Sequence, residues 1–169
     1  GNNKKLYVNY KDLAKDIKQG EKILIDDGKI ILKVLSTNKK TQIIAEVIQG
    51  GEVKSNKGFN LPNTKISLSP LTDKDLKDVI LAIKENVDWI ALSFVRKRSD
   101  IENLVKIINK KSEYSIPVIA KIEKPEALKN IDEIIKVSSG LMVARGDLGV
   151  ELQSSEIPLI QKKLVAKAK

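Results

Sequence analysis

The apolar residues of this chain change their spacing near Ser69, and the second spacing constrains the fold strongly. After Ser69, mostly apolar stretches alternate with segments in which apolar residues recur at helical intervals. The stretches are residues 87–95, 116–122 and 141–144. Near-continuous apolar strands separated by amphipathic helices indicate βαβ units and a parallel sheet. We therefore predict an α/β fold with about three strand–helix units in this part of the chain.

The helical segments carry recognisable start signals. Thr72 with Asp75, and Ser99 with Glu102, have the spacing of capping boxes, in which two side chains satisfy free backbone N–H groups. The next segment predicts one helix that begins at Pro125, because proline suits the first helical turn. Its apolar positions run to Ile135, and Ser138–Ser139–Gly140 stops it.

The earlier part of the chain predicts short antiparallel strands instead. Asp26–Asp27–Gly28 is a strong hairpin signal, because these residues tolerate positive φ. Pro62 ends the strand pattern, because proline cannot donate to a ladder. We predict a small β-barrel or sandwich in residues 1–64 and an α/β domain in residues 65–169.

Composition excludes several kinds of chemistry. The 169 residues contain no cysteine and no histidine, which excludes disulfides, thiolate nucleophiles, imidazole bases and Cys/His zinc sites. Any metal must bind to oxygen atoms. Neither a membrane-spanning run nor a signal peptide is evident, so we expect no membrane partner and a cytoplasmic location.

The net charge of +9 raises the question of nucleic-acid binding. Only Arg96, Arg98 and Arg145 are arginine, the lysines are scattered, and aromatic residues make up 4% of the chain. Base readers favour arginine, and single-strand binders add stacking aromatic residues. We expect no nucleic-acid partner and interpret the charge as a lysine-rich surface.

The ends of the predicted strands carry the candidate site, because loops converge there in parallel sheets. Lys121 and Glu123 are two residues apart, so in a strand both side chains point to one face. Asp147 follows the next strand, between Gly146 and Gly149. Carboxylates from neighbouring strand ends suit Mg²⁺, which takes one or two of them and completes its shell with water and substrate oxygens.

Simpler interpretations stay open for these residues. Lys121 and Glu123 can form a purely structural ion pair. Arg145–Gly146–Asp147 can be an ordinary turn, and its place directly after an apolar strand argues against an adhesion tripeptide.

Five stretches of the chain together form a specific pattern. They are Ile119–Ala120–Lys121–Ile122–Glu123, Asp132–Glu133–Ile134–Ile135, Leu141–Met142–Val143–Ala144–Arg145–Gly146–Asp147–Leu148–Gly149–Val150–Glu151, Ser93–Phe94–Val95–Arg96–Lys97 and Lys57–Gly58–Phe59–Asn60–Leu61–Pro62. They resemble the pyruvate kinase family, and the resemblance runs in order from Tyr7 onward. It implies a β-barrel lid in residues 1–64, followed by about three units of a (β/α)₈ barrel.

The same resemblance implies phosphoryl transfer from phosphoenolpyruvate to ADP, giving pyruvate and ATP. Lys121 matches the lysine that stabilises charge on the transferring phosphoryl, and Glu123 and Asp147 match the ligands of Mg²⁺ or Mn²⁺. The remaining matches are Gly146, Asp147, Ser93 and Phe94 for the substrate, and Lys57 and Asp27 for the nucleotide.

The family pattern also implies residues that these 169 do not contain, among them the K⁺ ligands. We therefore expect the chain to be a fragment that is inactive alone, and its α/β part either to self-associate through unpaired strand edges or to be loosely packed. The resemblance implies that the parent enzyme is a homotetramer. The alternatives are another Mg²⁺-dependent barrel enzyme acting on phosphoenolpyruvate or pyruvate, and a non-enzymatic module that binds polyanions through lysine.

Overall fold

The computed structural model describes residues 4–67 and 71–169, so Ser69 lies outside the described residues. The chain divides into two compact units between residues 68 and 69, and residues 65–67 therefore group with the first unit. None of the helices that the structure describes combines the length and the apolar character needed to cross a membrane.

The first unit contains one short helix and an antiparallel sheet. Its elements are α1 (Leu13–Asp16), β1 (Lys22–Ile25), β2 (Ile30–Thr37), β3 (Ile43–Gln49) and β4 (Phe59–Asn60). The strand order is β3-β2-β1-β4. The outer strands β3 and β4 do not pair with each other, and β4 has only two residues. The described strands therefore form an open sheet and not the closed barrel expected for residues 1–64.

A tight turn joins β1 to β2. Asp26, Asp27 and Gly28 have φ angles of +53°, +56° and +84°. Such left-handed residues match the twist of a two-stranded ribbon, and Ile25 pairs directly with Ile30 across the turn. The predicted hairpin is confirmed.

The second unit alternates strands and helices. Its elements are α2 (Asp73–Lys84), β5 (Ile90–Leu92), α3 (Arg98–Lys111), β6 (Val118–Ile122), α4 (Pro125–Lys129), α5 (Ile131–Ile135), β7 (Gly140–Val143), α6 (Arg145–Glu151), a 3₁₀ turn (Ser154–Glu156) and α7 (Ile157–Ala168).

The strands of the second unit form a parallel sheet, as predicted, and their order in the sheet is β5-β6-β7. Leu92 lies opposite Ala120, and Ile122 lies opposite Val143, so the three carboxyl ends meet at one edge of the sheet. Apolar side chains of β6 and of the surrounding helices form a buried core. This core holds the strands whose carboxyl ends form that edge.

Two predicted helix features are wrong. Helix α3 begins at Arg98, and Asp100 accepts the N–H groups of Arg96 and Lys97, so Ser99 and Glu102 do not form the box. Asp100 is closer in the chain to Arg96 and Lys97 than Glu102 is. The single helix expected over residues 125–135 breaks at Asn130, whose side-chain amide donates to the Arg96 carbonyl.

Candidate functional site

The candidate site residues of the second unit follow the three parallel strands or lie at their carboxyl ends. Ser93 and Phe94 follow β5, Lys121 is the fourth residue of β6, and Glu123 directly follows β6. Asp147 lies four residues beyond the end of β7. The site therefore draws on the same edge of the sheet from three neighbouring strands.

The Glu123 carboxylate is the centre of a hydrogen-bonded network. Its side chain is 2% exposed, and its Oε1 lies 2.5 Å from Lys121 Nζ. The Lys121 ammonium also donates to Ser93 Oγ at 3.0 Å, and 26% of its side chain stays exposed. The prediction that Lys121 and Glu123 share one face is confirmed. The pair holds a partly exposed positive charge at the sheet edge.

Phe94 completes this network through its backbone. The Phe94 N–H donates to Glu123 Oε2 at 3.0 Å, and Phe94 has a φ of +55°. A bulky residue in the left-handed region is strained, and such strain concentrates at functional sites. The phenyl side chain is exposed.

Asp147 and Gly146 lie in the first turn of α6 and are exposed. The sequence left open an ordinary turn at Arg145–Gly146–Asp147, and the structure makes these three residues the first turn of a helix. The first helical hydrogen bond of α6 runs from the Leu148 N–H to the Ala144 carbonyl at 2.9 Å. The N–H groups of Gly146 and Asp147 precede that bond and so have no partner within the helix.

The donor set at this edge suits a hard cation better than a softer metal. A carboxylate has about four lone-pair directions, and Glu123 uses one on the ammonium and one on the Phe94 N–H. Capacity for a cation remains on Glu123, and Asp147 is exposed in the first turn of the helix that follows the adjacent strand. Among residues 4–67 and 71–169, no group of three or more such ligands converges. This is compatible with Mg²⁺, which needs only one or two protein carboxylates.

The two candidate nucleotide residues lie in the first unit. Lys57 Nζ pairs with Asp26 at 2.8 Å, while Asp27 is exposed at the tip of the hairpin. The hydrogen bond from Lys57 lowers the pKa of the Asp26 carboxyl, and the same bond raises the pKa of Lys57. The assignment of Lys57 and Asp27 to the nucleotide stays a prediction.

One buried ion pair beside the site was missed by sequence reasoning. Lys124, which directly follows Glu123, pairs with Glu151 at the end of α6. The only signal was that Glu151 lies four residues after Asp147, on the same face of a helix. The pairing itself joins residues 27 positions apart.

Fold and site together define a class: an α/β domain whose parallel strands carry lysine and carboxylate oxygens at their carboxyl ends, without cysteine or histidine. Comparison with known proteins makes the assignment specific. A family model described as the pyruvate kinase barrel domain matches residues 1–169. The chain belongs to the pyruvate kinase family.

Individual relatives agree with the family match. The chain is 44% identical over 168 residues to a pyruvate kinase of Staphylococcus haemolyticus and 44% identical over 168 residues to one of Geobacillus stearothermophilus. It is 45% identical over 167 residues to one of Clostridium perfringens. Each alignment covers 99% of this chain but only 29%, 29% and 35% of the respective relative. The chain therefore spans about a third of the length of these relatives.

Proposed function

We propose that this chain carries part of the site at which phosphoryl passes between phosphoenolpyruvate and ADP, giving pyruvate and ATP. The observation that carries the proposal is the network of Lys121, Glu123, Ser93 and Phe94 at one sheet edge, with Asp147 after the adjacent strand. Phosphoryl transfer needs positioning and charge neutralisation more than covalent chemistry. A fixed ammonium beside carboxylate oxygens supplies both.

In this proposal Lys121 stabilises negative charge. Its ammonium is held between Glu123 Oε1 and Ser93 Oγ, so it is already oriented before substrate arrives. A donor fixed in advance need not reorganise when charge develops on the phosphoryl and enolate oxygens. The exposed part of the Lys121 side chain leaves it accessible to a ligand.

Glu123 and Asp147 are the proposed ligands of Mg²⁺ or Mn²⁺. Glu123 is held by two contacts that leave lone pairs free, and Asp147 is exposed at the start of α6. When bound there, the cation would supply positive charge that neutralises phosphoryl oxygens. The K⁺ that the family uses would bind outside the residues described.

Gly146, Asp147, Ser93 and Phe94 are the proposed substrate contacts. A Cβ on Gly146 would meet no atom within 4 Å, and its φ is not positive, so neither packing nor backbone conformation requires glycine. Close approach of a ligand to the backbone is a remaining reason for glycine. A substrate carboxylate could accept the N–H groups of Gly146 and Asp147.

We extend the proposal to the first unit and to the whole enzyme. Residues 1–64 would act as the family's lid, with Lys57 and Asp27 near the nucleotide, and residues 65–169 as part of a (β/α)₈ barrel. Lys57 keeps its positive charge, since its pKa is raised, which suits a phosphate partner. The enzyme would act in the cytoplasm as a homotetramer.

Binding tests the proposal without requiring turnover. Electron paramagnetic resonance measures free Mn²⁺ in titrations of the chain, and ³¹P NMR measures broadening of the phosphoenolpyruvate signal by bound Mn²⁺. We expect Asp147→Asn to weaken Mn²⁺ binding at least tenfold and to remove the broadening, because a carboxylate ligand is lost. Asp88→Asn, an exposed position before β5, should change neither. Equal binding by Asp147→Asn and the unchanged chain would contradict the proposal.

A further inference from the structure

The ion pair between Lys124 and Glu151 joins two segments that each carry a proposed metal ligand. Lys124 directly follows Glu123, and Glu151 is the last residue of α6, which begins two residues before Asp147. Their side chains are only 12% and 1% exposed. This is a buried cross-link beside the sheet edge and not a surface ion pair.

Stability of the helix does not explain why Glu151 is charged. A carboxylate at the last position of a helix faces the negative end of the helix dipole, which is unfavourable. Burying two charges also carries a desolvation cost that their attraction often only offsets. Apolar side chains of similar volume could fill the same space. The two charges are therefore better explained by a role in fixing the geometry of the neighbouring segments.

The geometry around the pair points to such a role. Strands β6 and β7 are joined at Ile122 and Val143, and the Ala144 N–H donates to the Ile122 carbonyl at 3.2 Å. The ion pair forms a second cross-link just beyond that ladder. Glu123 lies between the two cross-links on one segment, and Asp147 lies between them on the other.

Helix α6 needs tertiary contacts to hold its orientation. It has seven residues, too few to be stable by themselves in water. Leu148 anchors it in the core, and Glu151 anchors its far end to Lys124. Asp147 and Glu151 are four residues apart and thus share a helix face, so the second anchor limits rotation of the face that carries Asp147.

We propose that Lys124 and Glu151 are positioning residues, which hold Glu123 and Asp147 at the separation that a divalent cation requires. The inference rests on the proposed metal site. Outer contacts that orient metal ligands change metal affinity by about 10- to 100-fold when removed.

The sign of the change in Mn²⁺ affinity separates positioning from simple electrostatics. If the two charges acted only through space, Lys124→Met would tighten Mn²⁺ binding and Glu151→Gln would weaken it. If the pair positions the ligands, both substitutions weaken binding. The charge-exchanged variant, Lys124→Glu with Glu151→Lys, keeps the net charge and the cross-link and should restore much of the affinity.

Titration of the full 169-residue chain with Mn²⁺ alone tests this inference. Electron paramagnetic resonance gives the dissociation constant, and the zero-field splitting of bound Mn²⁺ reports its ligand geometry. We expect both single substitutions to weaken binding about tenfold or more and to alter the splitting. The exchanged variant should return to within about threefold of the original. Lys74→Met and Asp78→Asn, which alter an exposed ion pair on α2, are the matched controls and should have no effect.

Each outcome is decisive. Opposite signs for the two single substitutions, or unchanged affinity and splitting in both, would overturn the inference while Asp147→Asn still loses binding. If Asp147→Asn binds as the unchanged chain does, the metal site itself is wrong and the inference falls with it. If circular dichroism shows that a single variant does not fold, the exchanged variant decides: a folded protein that stays more than tenfold weaker contradicts positioning.

Discussion

At the scale of single residues, Phe94 combines an unfavourable backbone conformation with an exposed side chain. Its φ is +55°, and its ring is 52% exposed, so little apolar burial offsets the strain. The conformation does aim the Phe94 N–H at the buried Glu123 carboxylate. A charge-assisted hydrogen bond of this kind is stronger than a neutral one and can stabilise the turn.

Replacing Phe94 by glycine and by alanine should separate the backbone strain from the ring. Both substitutions remove the ring, but only glycine accepts a positive φ without steric cost. We expect Phe94→Gly to be more stable than Phe94→Ala by about 1 kcal/mol. Denaturant unfolding followed by the fluorescence of Trp89, the only tryptophan, measures the difference. An alanine variant at least as stable as the glycine variant would show that Phe94 is not strained.

The limits of sequence-based prediction are clearest at this scale. Alternation along β6 was enough to place Lys121 and Glu123 on one face, because a strand has a fixed period of two. The positive φ of Phe94 and the pairing of Lys124 with Glu151 were not predictable. Both depend on which segments the fold brings together, and neither leaves a periodic pattern in the chain.

At the scale of elements, the start of α2 shows the capping box that its sequence predicts. The Thr72 side chain accepts the Asp75 N–H, and Asp75 accepts the Thr72 N–H at 2.8 Å. The hydrogen bond from the Thr72 hydroxyl, followed by that from its backbone N–H, lowers the pKa of Asp75. Local signals of this kind are readable because all partners lie within four residues.

The lowered pKa of Asp75 predicts a pH-dependent contribution to stability. A carboxyl with a folded pKa below its unfolded value stabilises the fold above the unfolded pKa, and the stabilisation is lost as the pH falls through the folded pKa. We expect Asp75→Asn to reduce the free energy of unfolding by about 0.5–1 kcal/mol at pH 7. The difference should vanish in strong acid, where Asp75 is protonated.

Unfolding curves of both proteins at pH 7, 5 and 3, followed by Trp89 fluorescence, test this dependence. Asp88→Asn makes the same change of net charge outside the helices and serves as the control. A difference between Asp75→Asn and the unchanged chain that grows as the pH falls would contradict the argument.

Other elements were harder to predict than α2. The apolar spacing over residues 125–135 fits one helix, yet Asn130 interrupts it by donating to the distant Arg96 carbonyl. The three strands and their parallel type were predicted correctly, because strands buried on both faces of a parallel sheet read as continuous apolar runs. Helix breaks and caps that depend on distant partners were not predicted.

At the scale of the whole molecule, the outer strands of the parallel sheet are the feature that bears most on self-association. Among the described residues, β5 and β7 each pair on one side only, with β6. Strands with unpaired N–H and C=O groups recruit partners unless charge or bulk protects them. The strand residues Ile90–Leu92 and Gly140–Val143 are all uncharged, so the strands themselves offer no such charge.

We therefore predict that the 169-residue chain associates with itself in a concentration-dependent way. Lysine on both outer strands, as Ala91→Lys with Met142→Lys, should reduce association, because edge charges oppose strand pairing. Ala91→Val with Met142→Leu keeps the strands apolar and should associate like the unchanged chain. Sedimentation velocity over a range of concentrations measures the effect. A monomer at every concentration would refute this prediction.

The connectivity of the two sheets also bears on the order in which the chain acquires structure during synthesis. Strands β1, β2 and β3 follow one another as hairpins, so their contacts close short loops, whereas each parallel pairing must wait for an intervening helix. Local contacts form faster than distant ones, and chains emerge from the ribosome amino terminus first. The hairpins can thus be complete before Lys121 and Glu123 have been translated. The ribosome would add the site residues to a polypeptide that has already begun to fold.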